Sequence, residues 1–168
     1  MKLQPDFNYL YLVRHSNAEN PLSGQHSDFD RKLTQQGIER AHSLGNQLAD
    51  QRAPIAKIIT SSANRTQTTA SILAEHLNLS TTQIAATDIL YNANSADILS
   101  TISDSPHKHP QHLCIVGHNP GISEISSYLS ERSHFSMAPC TAVILAFPST
   151  DWRVVTKGMG QEIGVFCP

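Results

Sequence analysis

Short apolar runs recur along this chain, and segments with helical periodicity separate them. Three such runs lie at residues 8–13, 55–60 and 113–116. Runs of this length that are rich in branched and aromatic residues are typical of β-strands. Because strands that alternate with helices form parallel sheets covered by helices, the chain is predicted to adopt an α/β fold, with a mixed, mostly parallel sheet between two helical layers.

The segments between these strands have the apolar spacing of helices. The first predicted helix follows Thr34, a good N-cap, and buries one stripe of residues: Ile38, Ala41, Leu44, Gly45 and Leu48. A second helix is predicted over 63–78, and a third is predicted to be capped by Ser95. A fourth is predicted to begin at Asn119, a favourable N-cap, and Pro120, which suits a first helical position.

The last part of the chain has the pattern of an antiparallel element. Apolar runs at 143–147 and 153–156 flank a turn-forming stretch at 148–151. A short additional strand is predicted around 85–86. The sheet is therefore expected to carry an antiparallel pair at one edge.

Length and composition limit the classes of protein to consider. The 168 residues, 39% of them hydrophobic, are predicted to form a single domain over 1–168 with a sizeable core. A net charge of −2 argues against a nucleic-acid-binding surface, and the three widely spaced cysteines do not resemble a disulfide framework or a zinc site. No stretch is apolar enough to span a bilayer or act as a signal peptide, so a cytoplasmic location is expected.

Chemically distinctive residues follow three of the predicted strands. Arg14 and His15 come directly after the first, His118 follows the 113–116 run, and Arg65 lies in the first turn of the second helix. Parallel strands bring such positions to one edge of the sheet. Arginine forks suit phosphate oxygens, and a neutral histidine with one free ring nitrogen can attack phosphorus. Because a cation opposes the helix dipole at that end, Arg65 also points to a bound anion. The pattern predicts phosphoryl chemistry.

Four stretches carry a family resemblance: LVRHSNAE at 12–19, SDFDRKLTQQG at 27–37, SSANRTQTTA at 61–70 and VGHNPG at 116–121. In this order they resemble the histidine phosphatase superfamily, in particular its SixA-type phosphohistidine phosphatase branch. The resemblance implies the phosphoglycerate mutase-like three-layer α/β/α fold. It also implies that His15 is the nucleophile, that Arg14, Arg65 and His118 surround the phosphoryl group, and that neither a metal nor another cofactor is required.

The chain departs from the superfamily pattern at two places. Ser16 stands where glycine commonly follows the nucleophile, and the stretch at 89–94 has no carboxylate where larger members carry a proton donor. Glu19 and Asp88 are possible substitutes. A proton donor contributes roughly 10²- to 10⁴-fold and matters most for alkoxide leaving groups, whereas imidazole has a pKa of about 6.5 and departs more easily. This departure favours phosphohistidine over sugar phosphates as the substrate.

Other residues have competing interpretations. Asn17 is a candidate for substrate binding, although turn formation explains it equally well, and the same holds for Ser16. Asp28 and Arg31 match the branch motif, but an ion pair within the loop at 20–31 also explains them. The cluster of His107, His109 and His112 has the ligand type of a transition-metal site, but histidine-rich polar loops are usually only solvated, so no metal is predicted there.

The sequence thus predicts a metal-independent phosphatase that hydrolyses phosphohistidine in proteins, with a histidine phosphotransfer domain in signal transduction as a possible partner. Two alternatives remain open. The first is a phosphatase of a small phosphorylated metabolite, because specificity resides in loops. The second is a module that binds phosphorylated partners without catalysis. Neither nucleic acid nor a membrane is an expected partner.

Overall fold

The computed structural model describes residues 4, 7–20, 27–105, 112–133, 135–149 and 151–168. The strands are β1 (Asn8–Arg14), β2 (Ile55–Ser61), β3 (Ile84–Thr87), β4 (His112–Gly117), β5 (Ala142–Phe147) and β6 (Gln161–Phe166). The helices are α1 (Gln35–Asp50), α2 (Asn64–His76), α3 (Ser95–Ser103) and α4 (Gly121–Ser130). These elements confirm the predicted α/β class and the positions of the three apolar strands.

The six strands form one mixed sheet in the order β3-β2-β4-β1-β5-β6. The first four strands in this order run parallel to one another, whereas β5 is antiparallel to both β1 and β6. Parallel neighbours need crossover connections, which α1, α2 and α3 with their loops supply. The prediction of a mostly parallel sheet with an antiparallel edge is confirmed.

Alternate residues along the central strands enter two separate cores. Tyr11 and Val13 of β1 pack in the same core as buried residues of α1 and α2. Leu10 and Leu12 point the other way, into a core that contains buried residues of α3 and α4. Since side chains alternate across a strand, a sheet buried on both faces needs apolar residues at nearly every position. The result is the predicted three-layer α/β/α sandwich.

Helix starts agree with the sequence in one case and differ in two. The Thr34 hydroxyl accepts a hydrogen bond from the Gly37 amide, as expected of an N-cap. The cap of α3 is Asn94 and not Ser95, because the Asn94 side chain accepts from two amides of the first turn. At α4 the capping position is Pro120 and not Asn119, after a cis Asn119–Pro120 peptide bond.

The prediction of a strand at 153–156 is wrong. Asp151 accepts a hydrogen bond from the Arg153 amide and starts a single 3-10 turn over Trp152–Val154. The Trp152 side chain is fully buried against Phe147, an edge contact with 5.8 Å between ring centroids. The final strand forms later in the chain, at β6. The burial of Trp152 therefore outweighs the alternation of apolar residues that predicted a strand in this segment.

No helix among the described residues has both the length and the apolar character to cross a membrane. The same residues contain no group of three or more histidine, cysteine, aspartate or glutamate side chains that could hold a metal ion. His107 and His109 lie outside the described residues, so the interpretation of that cluster stays untested. His112 begins β4, and its Nδ1 accepts a hydrogen bond from the Tyr9 amide, 3.2 Å away.

Candidate active site

The sheet order brings the functional candidates to one edge. β1 lies beside β4, and β4 lies beside β2, with all three strands parallel. His15 and His118 each follow the last residue of their strand, and their ring centroids are 5.1 Å apart. Arg65, in the first turn of α2, is only 4% exposed. Residues separated by up to 104 positions in sequence thus meet where parallel strands end.

The backbone and the ring of His15 are both held by main-chain groups. The His15 amide donates to the Gly117 carbonyl at 3.1 Å, and its carbonyl accepts from the Cys140 amide at 3.0 Å. The ring Nδ1 lies 2.7 Å from the Ser16 carbonyl oxygen. Since a carbonyl only accepts, Nδ1 must carry the proton. A neutral His15 therefore has its lone pair on Nε2.

Burial and neighbouring charges keep both histidines neutral. Burial lowers the pKa of His15 to about 4, and the positive charges of Arg65 and Arg14 act in the same direction. The hydrogen bond to the Ser16 carbonyl opposes part of this shift in pKa. Burial also lowers the pKa of His118 to about 3, with further lowering by His15 and Arg65. At neutral pH the His15 imidazole is consequently able to act as a nucleophile.

Arg14 is fixed at the end of β1 by the segment that precedes β5. Its Nη1 donates to the Met137 carbonyl at 2.8 Å, and its amide donates to the Thr141 carbonyl at 3.0 Å. The Asn119 side chain donates to the same Met137 carbonyl at 3.0 Å. The Nε of Arg14 is buried without a hydrogen-bond partner among the described residues.

Arg65 is held by Asp28, from the segment that precedes α1. Its Nη1 donates to the Asp28 carbonyl oxygen at 2.5 Å, and its Nη2 donates to the Asp28 carboxylate at 3.0 Å. The Nε of Arg65 is buried and, within the described residues, has no partner. Two nitrogens of the guanidinium therefore bond Asp28 and orient the group, whereas the third, Nε, has no partner within the described residues.

Asp28 is the centre of a small polar cluster at the rim of this site. Its carboxylate also accepts from Arg31 at 2.9 Å and from the Tyr91 hydroxyl at 3.0 Å. The hydrogen bond from Arg31, helped by the charge of Arg65, lowers the pKa of Asp28 to about 2. The carboxylate is therefore ionised at neutral pH and is not a proton donor.

His118 is wedged between Ser61 and two aromatic rings. Its Nε2 lies 2.9 Å from the Ser61 hydroxyl, whereas its Nδ1 is buried with no partner in the described part of the chain. The edge of Tyr91 lies against it, with 5.8 Å between ring centroids, in addition to His15 on another side. His118 is 6% exposed.

Three buried nitrogens in this region have no hydrogen-bond partner within the part of the chain that the structure describes: Arg14 Nε, Arg65 Nε and His118 Nδ1. An unpaired buried donor costs about 1–3 kcal/mol, and more when it is charged, so native proteins rarely leave one unsatisfied. Three such nitrogens beside one neutral histidine favour a ligand rich in hydrogen-bond acceptors. A tetrahedral oxyanion has several oxygens and the complementary charge.

Residues 10–90 match the model of the histidine phosphatase superfamily, branch 1. The chain is similar to this family over those residues, which make up just under half of its length. No curated protein sequence matches this chain.

Solved structures share the fold over nearly the whole chain. A protein assigned as phosphohistidine phosphatase SixA from Agrobacterium tumefaciens has a TM-score of 0.81 and 23% identity, over 96% of this chain and 98% of that one. A protein assigned likewise from Nakamurella multipartitia has a TM-score of 0.78 and 22% identity, over 96% of both chains. A mycobacterial glucosyl-3-phosphoglycerate phosphatase, at 13% identity, reaches 0.61 over 93% of this chain and 97% of that one. Because all three identities are below 25%, the likeness to these structures establishes a common fold and nothing more.

The side chains of two predicted contributors, Asn17 and Ser16, form their recorded hydrogen bonds with residues other than the four central ones. The Asn17 side chain accepts a hydrogen bond from Arg40 at 3.1 Å, and none of its recorded contacts is with the four central residues. The Ser16 hydroxyl is buried and donates to the Gly37 carbonyl, so it supports the loop that carries His15. A Cβ on Gly37 would come within 2.0 Å of the Asn17 carbonyl oxygen, which explains the glycine at that position.

The first amides of α4 donate to main-chain carbonyls of the same turn. The Ile122 amide donates to the His118 carbonyl at 2.9 Å, and the next two amides donate to the Pro120 carbonyl. These three N–H groups are used within the turn. The turn that they close holds His118 at the start of α4.

Neither substitute proton donor contacts the central residues through a recorded hydrogen bond. Asp88 accepts from the Ser62 hydroxyl at the surface. Glu19 is anchored through its backbone, because its carbonyl accepts from Arg31 at 2.6 Å. Within the described residues, therefore, no carboxylic acid forms a hydrogen bond with His15.

Sequence reasoning missed three supports of the site: Ser61, the Met137 carbonyl and the contact between Asp28 and Arg65. The branch motif indicated an acidic residue, Asp28, before the first helix. That Asp28 bonds Arg65 in α2 cannot be inferred from the spacing of the two residues in the sequence. The predicted ion pair between Asp28 and Arg31 is present, at 2.9 Å. Ser61 gave no signal of its own beyond its position at a strand end.

Proposed function

We propose that this protein removes phosphoryl groups from phosphohistidine in partner proteins, through a transient phosphohistidine on its own His15. One observation carries the proposal. A neutral imidazole, with its Nδ1 bonded to a carbonyl and its Nε2 lone pair free, lies among three buried donors that lack a protein partner. This combination provides a nucleophile and a site for the group that it attacks.

In the first step the phosphoryl oxygens accept hydrogen bonds from Arg14, Arg65 and His118. Nε2 of His15 attacks phosphorus in line with the leaving nitrogen, so that a new N–P bond forms as the substrate's N–P bond breaks. In the second step water attacks phosphorus, the bond to Nε2 breaks, and inorganic phosphate leaves. His15 returns to its neutral form. The two guanidinium groups supply the positive charge that spreads over the equatorial oxygens, so the mechanism calls for no metal.

The choice of phosphohistidine follows from the leaving group. Asp28, the carboxylate that bonds Arg65, has a pKa lowered to about 2 and cannot donate a proton near neutral pH. Alkoxide leaving groups need such a donor, worth roughly 10²- to 10⁴-fold. When the other ring nitrogen of the substrate's phosphohistidine carries a proton from solvent, the N–P bond breaks to release neutral imidazole, whose conjugate acid has a pKa of about 6.5, so no carboxylic acid has to protonate the leaving nitrogen. The site therefore suits a nitrogen leaving group.

The structural relatives support this choice of substrate class. Two of those with TM-scores near 0.8 are assigned as phosphohistidine phosphatases, and another SixA structure, at 16% identity, is a complex with tungstate, a tetrahedral oxyanion. Asn17 and a cytoplasmic signalling role stay part of the proposal as predicted from sequence. The partner that we propose is a histidine phosphotransfer domain.

The decisive experiment measures phosphate release from a phosphohistidine-bearing phosphotransfer domain in the presence of a chelator. The wild type should release phosphate, and His15→Ala should not. His42→Ala is the matched control, because His42 is a partly buried histidine on α1 that bonds only His76 among recorded partners. Release that stops with the chelator would contradict the metal-free mechanism.

Two further outcomes would select the alternatives. Turnover of small phosphate esters in preference to the phosphorylated domain would identify a metabolite phosphatase. Retained binding of the phosphorylated domain, with no release by the wild type, would identify a phosphate-recognition module. A single substrate panel that includes a sugar phosphate and the phosphorylated domain distinguishes these outcomes.

A further inference from the structure

Ser61 is the last residue of β2 and reaches the second histidine of the site. β2 runs parallel to β4, with Thr60 paired to Val116, so Ser61 comes level with the end of β4. Its hydroxyl oxygen is 2.9 Å from Nε2 of His118, and both residues are almost fully buried. The same oxygen accepts a hydrogen bond from the Ala63 amide at 3.3 Å.

Counting hydrogens at this contact selects one tautomer. A hydroxyl has one proton to donate. If His118 carried its proton on Nε2, the Ser61 oxygen would accept from both His118 and Ala63, and the hydroxyl proton would have no recorded acceptor. If the proton is on Nδ1 instead, the hydroxyl donates to Nε2 and accepts from Ala63, so every group at the contact is satisfied.

The second arrangement also has a consequence for ligand binding. Nδ1 of His118 is the atom that is buried without a partner. A proton on Nδ1 makes it a donor for an oxyanion, whereas a lone pair there would repel one. A neutral ring can therefore bind the phosphoryl group on one side only when its other side is held by a donor.

We propose that Ser61 is a positioning residue that fixes His118 as the Nδ1–H tautomer, and so makes a neutral histidine an oxyanion donor. The effect on rate rests on the function proposed above, but the tautomer does not. Ser61 itself does not touch the reacting atoms, because it acts on the far side of the His118 ring.

The tautomer is measured directly by nitrogen NMR of the protein with ¹⁵N-labelled histidine, with the His118 signals assigned by their loss in His118→Gln. The wild type should show a protonated Nδ1 and an unprotonated Nε2 at pH 7. In Ser61→Ala the proton should move in part or wholly to Nε2, and Ser61→Thr, which retains a hydroxyl, should restore the wild-type pattern. A wild-type proton on Nε2, or a Ser61→Ala spectrum without change at His118, would overturn the proposal.

Kinetics test the consequence on the same variants. Removal of one oxyanion donor costs roughly 10²- to 10³-fold, so loss of its orienting partner should lower kcat/KM by roughly 10- to 100-fold. Ser105→Ala is the matched control: Ser105 is also buried, but its hydroxyl bonds the Thr101 carbonyl near the end of α3. It should leave kcat/KM unchanged. If the NMR spectra are as expected but the wild type hydrolyses none of the phosphate substrates, the role of Ser61 is supported and the proposed function is refuted.

Discussion

Two pairs of histidines in this fold have nearly the same spacing and quite different surroundings. The rings of His15 and His118, at the end of the sheet, have centroids 5.1 Å apart with planes tilted by 59°. The rings of His42 and His76, between α1 and α2, have centroids 5.2 Å apart with planes at 79°. Ring spacing alone therefore does not identify a catalytic pair.

The partners of the ring nitrogens are what distinguish the two pairs. Nδ1 of His42 and Nε2 of His76 are 2.9 Å apart, so in the helical pair one nitrogen of each ring is the hydrogen-bond partner of the other. At the sheet edge each ring instead bonds a different neighbour, and buried donors beside it lack a partner. Unsatisfied hydrogen-bonding capacity next to a desolvated base indicates a site for a ligand.

The largest expected difference between the pairs is in turnover. His15→Ala should lower kcat by roughly 10³-fold or more, because it removes the nucleophile. His76→Ala should change kcat by less than about twofold, although it should lower stability. Assays of both variants with one phosphohistidine substrate test this, and equal loss in the two would remove the distinction.

The second largest expected effect is a loss of kcat/KM when the guanidinium group of Arg65 is replaced. Arg65→Lys should lower kcat/KM by roughly 10²-fold, since an ammonium group cannot bond Asp28 and an oxyanion in the same fixed fork. Arg153→Lys is the control, because its exposed ion pair with Asp151 lies outside the site. Steady-state kinetics of the two variants measure the difference, and a silent Arg65→Lys would show that charge alone suffices.

The pH dependence should report the lowered pKa of His15. The nucleophile must be unprotonated, so kcat/KM should be level near neutral pH and fall about tenfold per pH unit below about 4. A descending limb near 6.5 instead would mean that burial does not shift this pKa. A rate profile on a substrate stable to acid provides the measurement.

The free energy of unfolding should also depend on the titration of these histidines, and it should fall as the pH falls. The folded state resists protonation of His15 and His118, whose pKa values are lowered to about 4 and about 3, whereas the unfolded chain binds these protons near pH 6.5. The free energy of unfolding therefore has its full value above about 6.5 and declines as the pH falls towards 4. Replacement of both residues by asparagine should flatten this decline in urea titrations.

The smallest expected effect on activity comes from the helical pair's packing. A Cβ at Gly45 would come within 2.5 Å of the His76 ring and 3.0 Å of its Cβ. Overpacking costs about 1–3 kcal/mol and alanine regains up to about 1 kcal/mol of helix propensity, so Gly45→Ala should destabilise the fold by roughly 1 kcal/mol. Thermal unfolding measures this, while kcat/KM should not change. A large loss of activity would connect the two pairs.

Much of the fold was predictable because its signals are local. The runs around β1, β2 and β4 and the stripe of α1 follow directly from hydrophobic spacing. The prediction of a strand at 153–156 was wrong because the Trp152 side chain is buried in the core. The predicted cap of α3, Ser95, is one residue too late because the Asn94 side chain offers the better capping oxygen. Local patterns cannot weigh such alternatives, since the deciding contacts come from distant residues.

The sequence by itself determined the class of the fold and the four residues proposed for catalysis, His15, Arg14, Arg65 and His118. Each stands directly after a recognisable strand or in the first turn of a recognisable helix. Only the tertiary structure decided which nitrogen of each ring is free, that Asp28 reaches Arg65, and that Ser61 bonds His118. Hydrogen-bond geometry depends on atoms brought together by the sheet order, and strand order is set by packing across the whole domain.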